Sequence, residues 1–254
     1  MASENILEVR NVTHRYGDFI ALKDVTITVP EERLTALIGP NGAGKTTFYN
    51  VVSGKYRPSK GSVIFNGVNV TGYSPHKLSL MGLSRSFQIT NIFHELTVIE
   101  NVMIPIALHE GKGFYFWTKY RKDRHLFNEA MKVLSLVGLE DVYARVTREL
   151  SYGDRRLVEI AIVLAGKPQL VLLDEPTAGM TPEETEKMIH LIKNLATTTE
   201  TTFFFTEHDM NVVFSVAEYI YVLHQGELLA QGKPEDIRAD PKVREAYLGG
   251  SLDT

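Results

Sequence analysis

The first thirty residues alternate between apolar and polar positions in two runs. Residues 6–12 and 25–29 place an apolar side chain at about every second position, and Tyr16-Gly17-Asp18 lies between them. Because neighbouring side chains of a β-strand point to opposite faces, this spacing predicts two half-buried strands joined by a turn. We therefore expect an antiparallel β-sheet near the start of the chain.

The next segment has the order strand, loop, helix. Leu34–Ile38 is a short apolar run, and a glycine-rich stretch follows it. Residues 46–53 are predicted to form a helix that ends at Gly54, since glycine is common just past a helix C-terminus. Strand character returns at residues 62–65. Strands and helices therefore already alternate within the first quarter of the chain.

Helical spacing dominates the middle of the chain. It extends over residues 98–165, with an aromatic and basic interruption at residues 111–122. Apolar positions three and four residues apart lie on one face of a helix, so this stretch predicts several amphipathic helices. We expect them to form a helical subdomain, residues 89–167, inserted into an α/β core.

Short apolar strands alternate with helices in the last third of the chain. Such alternation is typical of parallel strands with helical crossovers. The core is therefore predicted to comprise residues 1–88 and 168–254, so that the whole chain, residues 1–254, forms one domain. The predicted strands are residues 170–173, 202–206 and 219–223, and the predicted helices are residues 183–195 and 210–217.

Composition narrows the class of protein. Apolar residues make up 44% of the chain and charged residues 23%, which is the balance of a folded globular protein. The absence of cysteine excludes disulfides and thiolate metal sites and favours a cytoplasmic location. No apolar run approaches the roughly 20 residues that cross a bilayer. A net charge of −4 without a long basic run argues against nucleic-acid binding.

The glycine-rich stretch after the first apolar run carries the most specific pattern. It matches G-x-x-x-x-G-K-[ST], in which glycines let backbone N–H groups turn toward a polyphosphate. A glycine-rich turn is the alternative, but the strand before and the helix after favour a phosphate loop extending to Thr47. Lys45 would reach the β- and γ-phosphates of ATP, and the Thr46 hydroxyl would bind Mg²⁺. The matching residues are Gly39-Pro40-Asn41-Gly42-Ala43-Gly44-Lys45-Thr46.

Two adjacent carboxylates follow the apolar strand at residues 170–173. Asp174 and Glu175 stand at its carboxyl end, where ligands bind in open parallel sheets. Solvated acids at a strand end are the alternative, but the phosphate loop favours a catalytic pair. We expect Asp174 to hold Mg²⁺ through its water shell and Glu175 to polarise the attacking water.

A third pattern lies between these two. Leu150-Ser151-Tyr152-Gly153-Asp154 begins a predicted helix, and Ser151 with Asp154 three residues later suggests a capping box. This segment resembles the signature motif of ABC-type ATPases, and the resemblance covers essentially the whole chain. It implies a P-loop NTPase fold with a mainly parallel core sheet, an antiparallel β subdomain and an inserted helical subdomain.

The resemblance also implies roles for single residues. Tyr16 would stack on adenine, Gln88 would contact Mg²⁺ from the glutamine loop, and His208 would contact the γ-phosphate. A packed strand aromatic, a surface amide and a structural histidine are the respective alternatives. Lys45, Glu175, His208 and Gln88 then form the expected catalytic set. The family's head-to-tail dimer, of two identical or two different ATPases, would sandwich each ATP between one phosphate loop and the other subunit's Ser151 and Gly153.

Two departures from the common family pattern point to one branch. Asp154 stands where many members have glutamine, and Thr181 where many have aspartate. Both are familiar in the ATPases of branched-chain amino acid and related amide or urea importers. That branch implies integral membrane permeases, an external solute-binding protein and a peripheral position on the cytoplasmic face of the membrane. Further similar stretches are residues 95–101, 207–210, 223–226 and 240–249.

Other members of the family leave alternatives open. ATPases of lipopolysaccharide export are close in sequence style, and a soluble ATPase of iron–sulfur cluster assembly has similar size and motifs. DNA-repair and translation-factor ATPases usually have long coiled-coil insertions or two ATPase domains, which this chain lacks. The aromatic and basic residues 113–124 would lie against a membrane domain or a lipid surface, or form a hairpin that packs its rings onto the helical subdomain.

Overall fold

A computed structural model describes residues 5–86, 92–112 and 123–247. The strands are β1 (Asn5–Tyr16), β2 (Phe19–Pro30), β3 (Leu34–Ile38), β4 (Lys60–Phe65), β5 (Val68–Asn69), β6 (Leu83–Ser86), β7 (Leu170–Asp174), β8 (Thr202–Thr206), β9 (Tyr219–His224) and β10 (Glu227–Gly232). The helices are α1 (Lys45–Val52), α2 (Pro75–Leu80), α3 (Val98–His109), α4 (Arg124–Leu136), α5 (Tyr152–Ala165), α6 (Pro182–Thr198), α7 (Met210–Val216), α8 (Pro234–Ala239) and α9 (Pro241–Tyr247). Two 3₁₀ turns lie at Glu140–Val142 and Thr147–Glu149.

The strands form two sheets. A six-stranded sheet has the order β10-β9-β3-β8-β7-β6, and all its neighbours pair in parallel except β10 with β9. An antiparallel sheet has the order β2-β1-β4-β5. The α/β class, the antiparallel start of the chain and the parallel core sheet are therefore confirmed.

The register of the central strands brings their carboxyl ends level. Leu37 of β3 pairs with Thr206 of β8, and Thr206 also pairs with Asp174 of β7. In parallel strands these ends all point to the same edge of the sheet. Whatever follows β3, β7 and β8 along the chain therefore meets at one place.

Strand β8 is covered on both faces. Phe203, Phe204 and Phe205 are each 1% exposed or less. Phe204 packs with Tyr49 and the antiparallel sheet, whereas Phe203 and Phe205 pack on the opposite side with the helices. A continuous apolar run rather than an alternating one is what a strand buried on both faces requires.

Helices α3, α4 and α5 follow β6 and precede β7 along the chain. The three helices pack against one another. Thr97 caps α3 in a complete capping box with Glu100. Helix α4 begins at an Asp123 cap and buries Leu126, Ala130 and Leu134. These residues recur at intervals of four, as predicted for the helical middle of the chain.

Several elements were not predicted from the sequence. Strand β6 lies at the edge of its sheet, and Leu83 is its only strongly apolar residue. It therefore has no apolar run from which a strand could be predicted. Helices α2, α8 and α9 have six or seven residues each, too short for a periodic pattern to emerge. No helix in the described part of the chain is long and apolar enough to cross a membrane.

We predict that Phe204→Ala destabilises the fold by about 3–5 kcal/mol, because a fully buried ring leaves a cavity between β8 and α1. Phe19→Ala is the matched control, since Phe19 is 68% exposed and should change stability by less than about 0.5 kcal/mol. Urea unfolding measures both. Equal losses of stability would contradict the burial of Phe204 between β8 and α1.

Candidate functional site

The glycine-rich loop joins β3 to α1. Gly42 and Gly44 have φ angles of +79° and +105°, which residues with a side chain rarely adopt. A Cβ atom at position 44 would also lie 2.9 Å from the carbonyl oxygen of Ala21. The loop therefore depends on glycine both for its backbone shape and for its packing under β2.

The amino end of α1 is open toward this loop. No side chain caps the helix, and no acidic residue lies in its first turn. The first N–H groups of a helix have no intrahelical partner and carry a partial positive charge. Together with the turned backbone of residues 39–44, they form a cradle that suits an anion.

Lys45 lies inside this cradle and is only 7% exposed. Its Nζ donates to the carbonyl oxygens of Gly39 at 2.5 Å and Pro40 at 3.2 Å. Burial lowers the pKa of Lys45, while the nearby carboxylates of Glu175 and Asp174 oppose that shift. The ammonium group thus faces the two acids at the end of β7.

Asp174 is almost fully buried at the carboxyl end of β7. Its Oδ2 pairs with Arg85 Nη2 at 2.6 Å, and its Oδ1 accepts from the Thr206 hydroxyl at 2.9 Å. Arg85 also donates to Asn50 Oδ1 at 2.7 Å, which ties the acid to α1. A buried carboxylate is stable only when paired and hydrogen-bonded, and these partners meet that requirement.

Glu175 follows immediately and leaves the strand. Its φ of +49° is uncommon for a residue with a side chain. Its N–H donates to the carbonyl oxygen of Thr206 at 3.1 Å, and its Oε1 lies 2.5 Å from His208 Nε2. Asp174 therefore points into the protein, whereas Glu175 reaches the surface beside the histidine.

Glu207 links the ends of β7 and β8. It is 3% exposed, and one carboxylate oxygen accepts from both the N–H and the hydroxyl of Thr177 at 2.8 Å. The other oxygen accepts from the N–H of His208 at 3.2 Å. Burial raises the pKa of Glu207, and hydrogen bonds to Thr177 and His208 oppose that rise. The residue orders the backbone on both sides of the Glu175–His208 contact.

Tyr16 lies beside the phosphate loop with 45% of its surface exposed. Its hydroxyl is 3.4 Å from Thr47 Oγ1. Its ring makes edge contacts with His14 at 4.9 Å and Tyr56 at 5.7 Å between centroids. Tyr16 is thus both packed at its edge and accessible on its surface, which leaves room for a flat ligand.

The Ser151 turn occupies another part of the surface. Ser151 caps α5 by accepting from the Asp154 N–H at 3.1 Å, but the reciprocal bond of a capping box is not among its contacts. The Tyr152 hydroxyl donates to the Ala178 carbonyl at 3.2 Å, and Gly153 lies against Glu184. Ser151 therefore contacts its own helix, whereas Tyr152 and Gly153 contact the segment after Glu175.

Thr181, the departure noted in the sequence, has a structural task. It caps α6 in a complete capping box with Glu184. Gln88 and residues 113–122 of the aromatic and basic stretch lie outside the described residues.

The structure brings most of the expected site residues together. Lys45, Asp174, Glu175 and His208 meet at the carboxyl ends of three adjacent parallel strands, β3, β8 and β7. In the described residues, no group of three or more histidine and acidic side chains is arranged to hold a metal ion by itself. Mg²⁺ usually takes one or two carboxylates plus substrate phosphates, so Asp174 and Thr46 beside the anion cradle fit that pattern.

Sequence reasoning missed several polar residues of this region. Thr206 and Glu207 directly precede His208 at a strand end, and the rule that ligands bind at strand ends could have found them. Arg85 was missed because β6 was not predicted. Arg156 lies within a predicted helix, where its inward direction has no sequence signal.

A cleft of about 480 Å³ separates the core sheet from the helical region. Arg85 Nε and Glu159 Oε1 are buried and make no hydrogen bond within the described structure. Burial raises the pKa of Glu159. The lining includes Arg85, Ser53, Pro75, Pro105, Glu159 and Ile162.

Comparison with protein families gives two matches. The profile described as "ABC transporter" matches residues 22–178. The profile described as "Branched-chain amino acid ATP-binding cassette transporter" matches residues 227–253. Between them the two matches cover most of the chain, including the phosphate loop, the Ser151 turn and the two acids.

Individual proteins are similar over nearly the full length. The high-affinity branched-chain amino acid transport ATP-binding protein BraF of Pseudomonas aeruginosa is 38% identical, covering 97% of this chain and 99% of its own. The ADP conformation of an ATP-binding cassette of an ABC transporter superposes with a TM-score of 0.85 at 30% identity, covering 98% and 100%. A dimeric post-hydrolysis cassette bound to ADP and phosphate gives 0.75 at 27% identity, covering 90% and 98%.

We predict that Glu207→Gln changes how stability depends on pH. The native pKa of Glu207 is raised above its ordinary value near 4.5, so the folded state binds its proton more tightly than the unfolded state. Wild-type stability should then fall, relative to the variant, as pH rises from about 4.5 through the native pKa. Urea unfolding from pH 4 to 8 measures the difference, and a pH-independent difference would contradict the burial of this carboxylate.

Proposed function

The chain belongs to the ABC transporter family of ATP-hydrolysing subunits, and on this premise we propose that it powers an importer of branched-chain or related amino acids. The observation that carries the proposal is the convergence of the phosphate loop, Asp174, Glu175 and His208 at one edge of the sheet. The match of residues 227–253 to the branched-chain profile and the name of the Pseudomonas relative support the substrate class.

ATP hydrolysis would use the residues of this edge in separate roles. Lys45 would exchange its bonds to the Gly39 and Pro40 carbonyls for oxygens of the β- and γ-phosphates. Glu175 would polarise the water that attacks the γ-phosphorus, so that the bond to the β-phosphate breaks and ADP leaves. His208 would hold the Glu175 carboxylate and face the γ-phosphate. Catalysis then comes mainly from positioning and charge stabilisation.

Mg²⁺ would neutralise charge on the phosphate oxygens when bound. Thr46, at the start of α1, would supply a hydroxyl ligand, and Asp174 would hold the metal through water. Arg85 and Thr206 keep the Asp174 carboxylate in place for this role. Gln88 completes the proposed metal contacts.

A second ATPase subunit, identical or different, would complete each site. Tyr16 would stack on adenine beside the loop of residues 39–47, with Asn41, Gly42, Ala43 and Thr47 lining the phosphates. The other subunit would contribute its Ser151 and Gly153. The solvent exposure of Ser151 at the start of α5 supports this arrangement, as does the dimeric cassette of similar fold.

The transporter partners follow from the family. We propose that the chain sits on the cytoplasmic face of the membrane, bound to integral permease subunits that receive solute from an external binding protein. Residues 1–88 and 168–254 would form the nucleotide-binding core, and residues 89–167 the helical subdomain. We propose that the 480 Å³ cleft between them takes part in the permease contact.

We predict that Glu175→Gln lowers phosphate release at least about 100-fold, because the variant loses the group that polarises water. It should still bind ATP and accumulate as an ATP-bound dimer, detectable by sedimentation. Glu183→Gln is the matched control, since Glu183 only pairs with exposed Lys187 and should keep full turnover. Turnover of Glu175→Gln at the wild-type rate would remove Glu175 from the mechanism.

We predict that His208→Ala lowers turnover about 10- to 100-fold with little change in ATP affinity, since the histidine contacts Glu175 and not the phosphate loop. Steady-state phosphate release and equilibrium binding of a non-hydrolysable ATP analogue separate these effects. His190→Ala, at an exposed position of α6, is the control. Normal turnover of the His208 variant would exclude the proposed role.

A further inference from the structure

Arg156 lies on α5, five residues after Ser151, and is 8% exposed. Its Nη1 pairs with Glu159 Oε2 at 2.6 Å. Its Nη2 donates to the main-chain carbonyl oxygens of Asp174 at 3.3 Å and Glu175 at 3.2 Å. One guanidinium group therefore joins the helix that starts at the Ser151 turn to the backbone of both acids.

The hydrogen bonds from Arg156 Nη2 to the two main-chain carbonyls are additional to the ion pair with Glu159. Nη1 pairs with the Glu159 carboxylate, while Nη2 is directed at the point where Glu175 leaves β7 with a φ of +49°. The Glu175 carbonyl accepts from the N–H of Ala178 at 3.2 Å, so the Arg156 guanidinium is a second donor to it and also bonds the Asp174 carbonyl. The planar guanidinium can serve the carboxylate and the carbonyls together, which the single ammonium of a lysine cannot do in the same geometry.

A neighbouring contact ties the same two segments. The Tyr152 hydroxyl donates to the Ala178 carbonyl, and Gly153 lies against Glu184 at the start of α6. The Ser151 turn therefore touches the segment that follows Glu175, whereas Arg156 contacts Asp174 and Glu175 themselves. Thr181, in this same segment, caps α6 and offers no carboxylate for communication between paired sites.

We propose that Arg156 is a positioning residue that fixes the main chain of Glu175 and couples it to the Ser151 turn. The inference rests on the proposed function, in which that turn contacts the ATP of the second subunit. Closure of the turn on one ATP then sets the backbone of the catalytic carboxylate that serves the other ATP.

The decisive variant combines Arg156→Met with Glu159→Leu. Replacing a buried ion pair by apolar residues of similar volume is often neutral or stabilising, so this protein should still fold, which a cooperative thermal unfolding transition checks. It lacks the donor to the Asp174 and Glu175 carbonyls. We expect kcat to fall about 10- to 100-fold, because small misplacements of a catalytic group have effects of this size, while KM for ATP stays within about twofold.

Arg156→Lys provides a second test. It keeps the positive charge and the ion pair with Glu159 but loses the second guanidinium nitrogen that donates to the carbonyls. Its kcat should also fall at least about tenfold with KM unchanged. Arg148→Lys is the matched control, because Arg148 is exposed and pairs only with exposed Glu95. It should keep the wild-type kcat.

Glu175→Gln is measured alongside, to distinguish failure of the role of Arg156 from failure of the proposed role of Glu175. A folded double variant with wild-type kcat, beside an inactive Glu175→Gln, would overturn the role of Arg156 and leave the proposed function intact. Wild-type turnover of Glu175→Gln would instead overturn the proposed role of Glu175, on which the inference rests. A rise in KM at constant kcat would also contradict a positioning role.

Discussion

The position of β8 between β3 and β7 is the constraint on which the rest of the structure depends. Its three phenylalanines fill both faces of the sheet, which fixes the strand within the core. The parallel register then places the phosphate loop, the two acids and His208 at the same edge. The free energy that positions the site therefore comes from apolar burial away from the site. The polar groups at the edge then fix the positions of the site's side chains on a sheet that apolar burial already stabilises.

Buried charges at this edge are each held by specific partners. Asp174 has Arg85 and Thr206, Glu207 has Thr177 and His208, and Arg156 has Glu159 and two carbonyls. Removing one member of such a set leaves a buried group unpaired, which costs more than the set contributes to stability. These networks therefore act mainly to define one conformation of the chain around Glu175. Catalysis by positioning needs that definition.

The sequence predicted the elements that have a periodic apolar pattern and the site that has a sequence motif. The apolar runs gave the central strands to within about a residue, and the glycine spacing gave the phosphate loop. Edge strand β6 and the short helices lack enough buried positions for any pattern, so Arg85 stayed hidden with β6. Arg156 and Glu207 are defined by contacts with residues far along the chain, which no local pattern encodes. Roles that depend on a second subunit came from family resemblance alone.

The site as described is half of the proposed one, because Ser151 contacts Asp154 and Gly153 lies against Glu184, and neither contact is with the phosphate loop of the same chain. ATP binding should need one chain and hydrolysis should need two. The most direct measurement is turnover per chain as protein concentration is raised, alone and with a second ATPase of the same transporter. The account predicts that turnover per chain rises with the concentration of this chain or of the second ATPase. Constant turnover per chain at dilutions where sedimentation finds only monomers would contradict it.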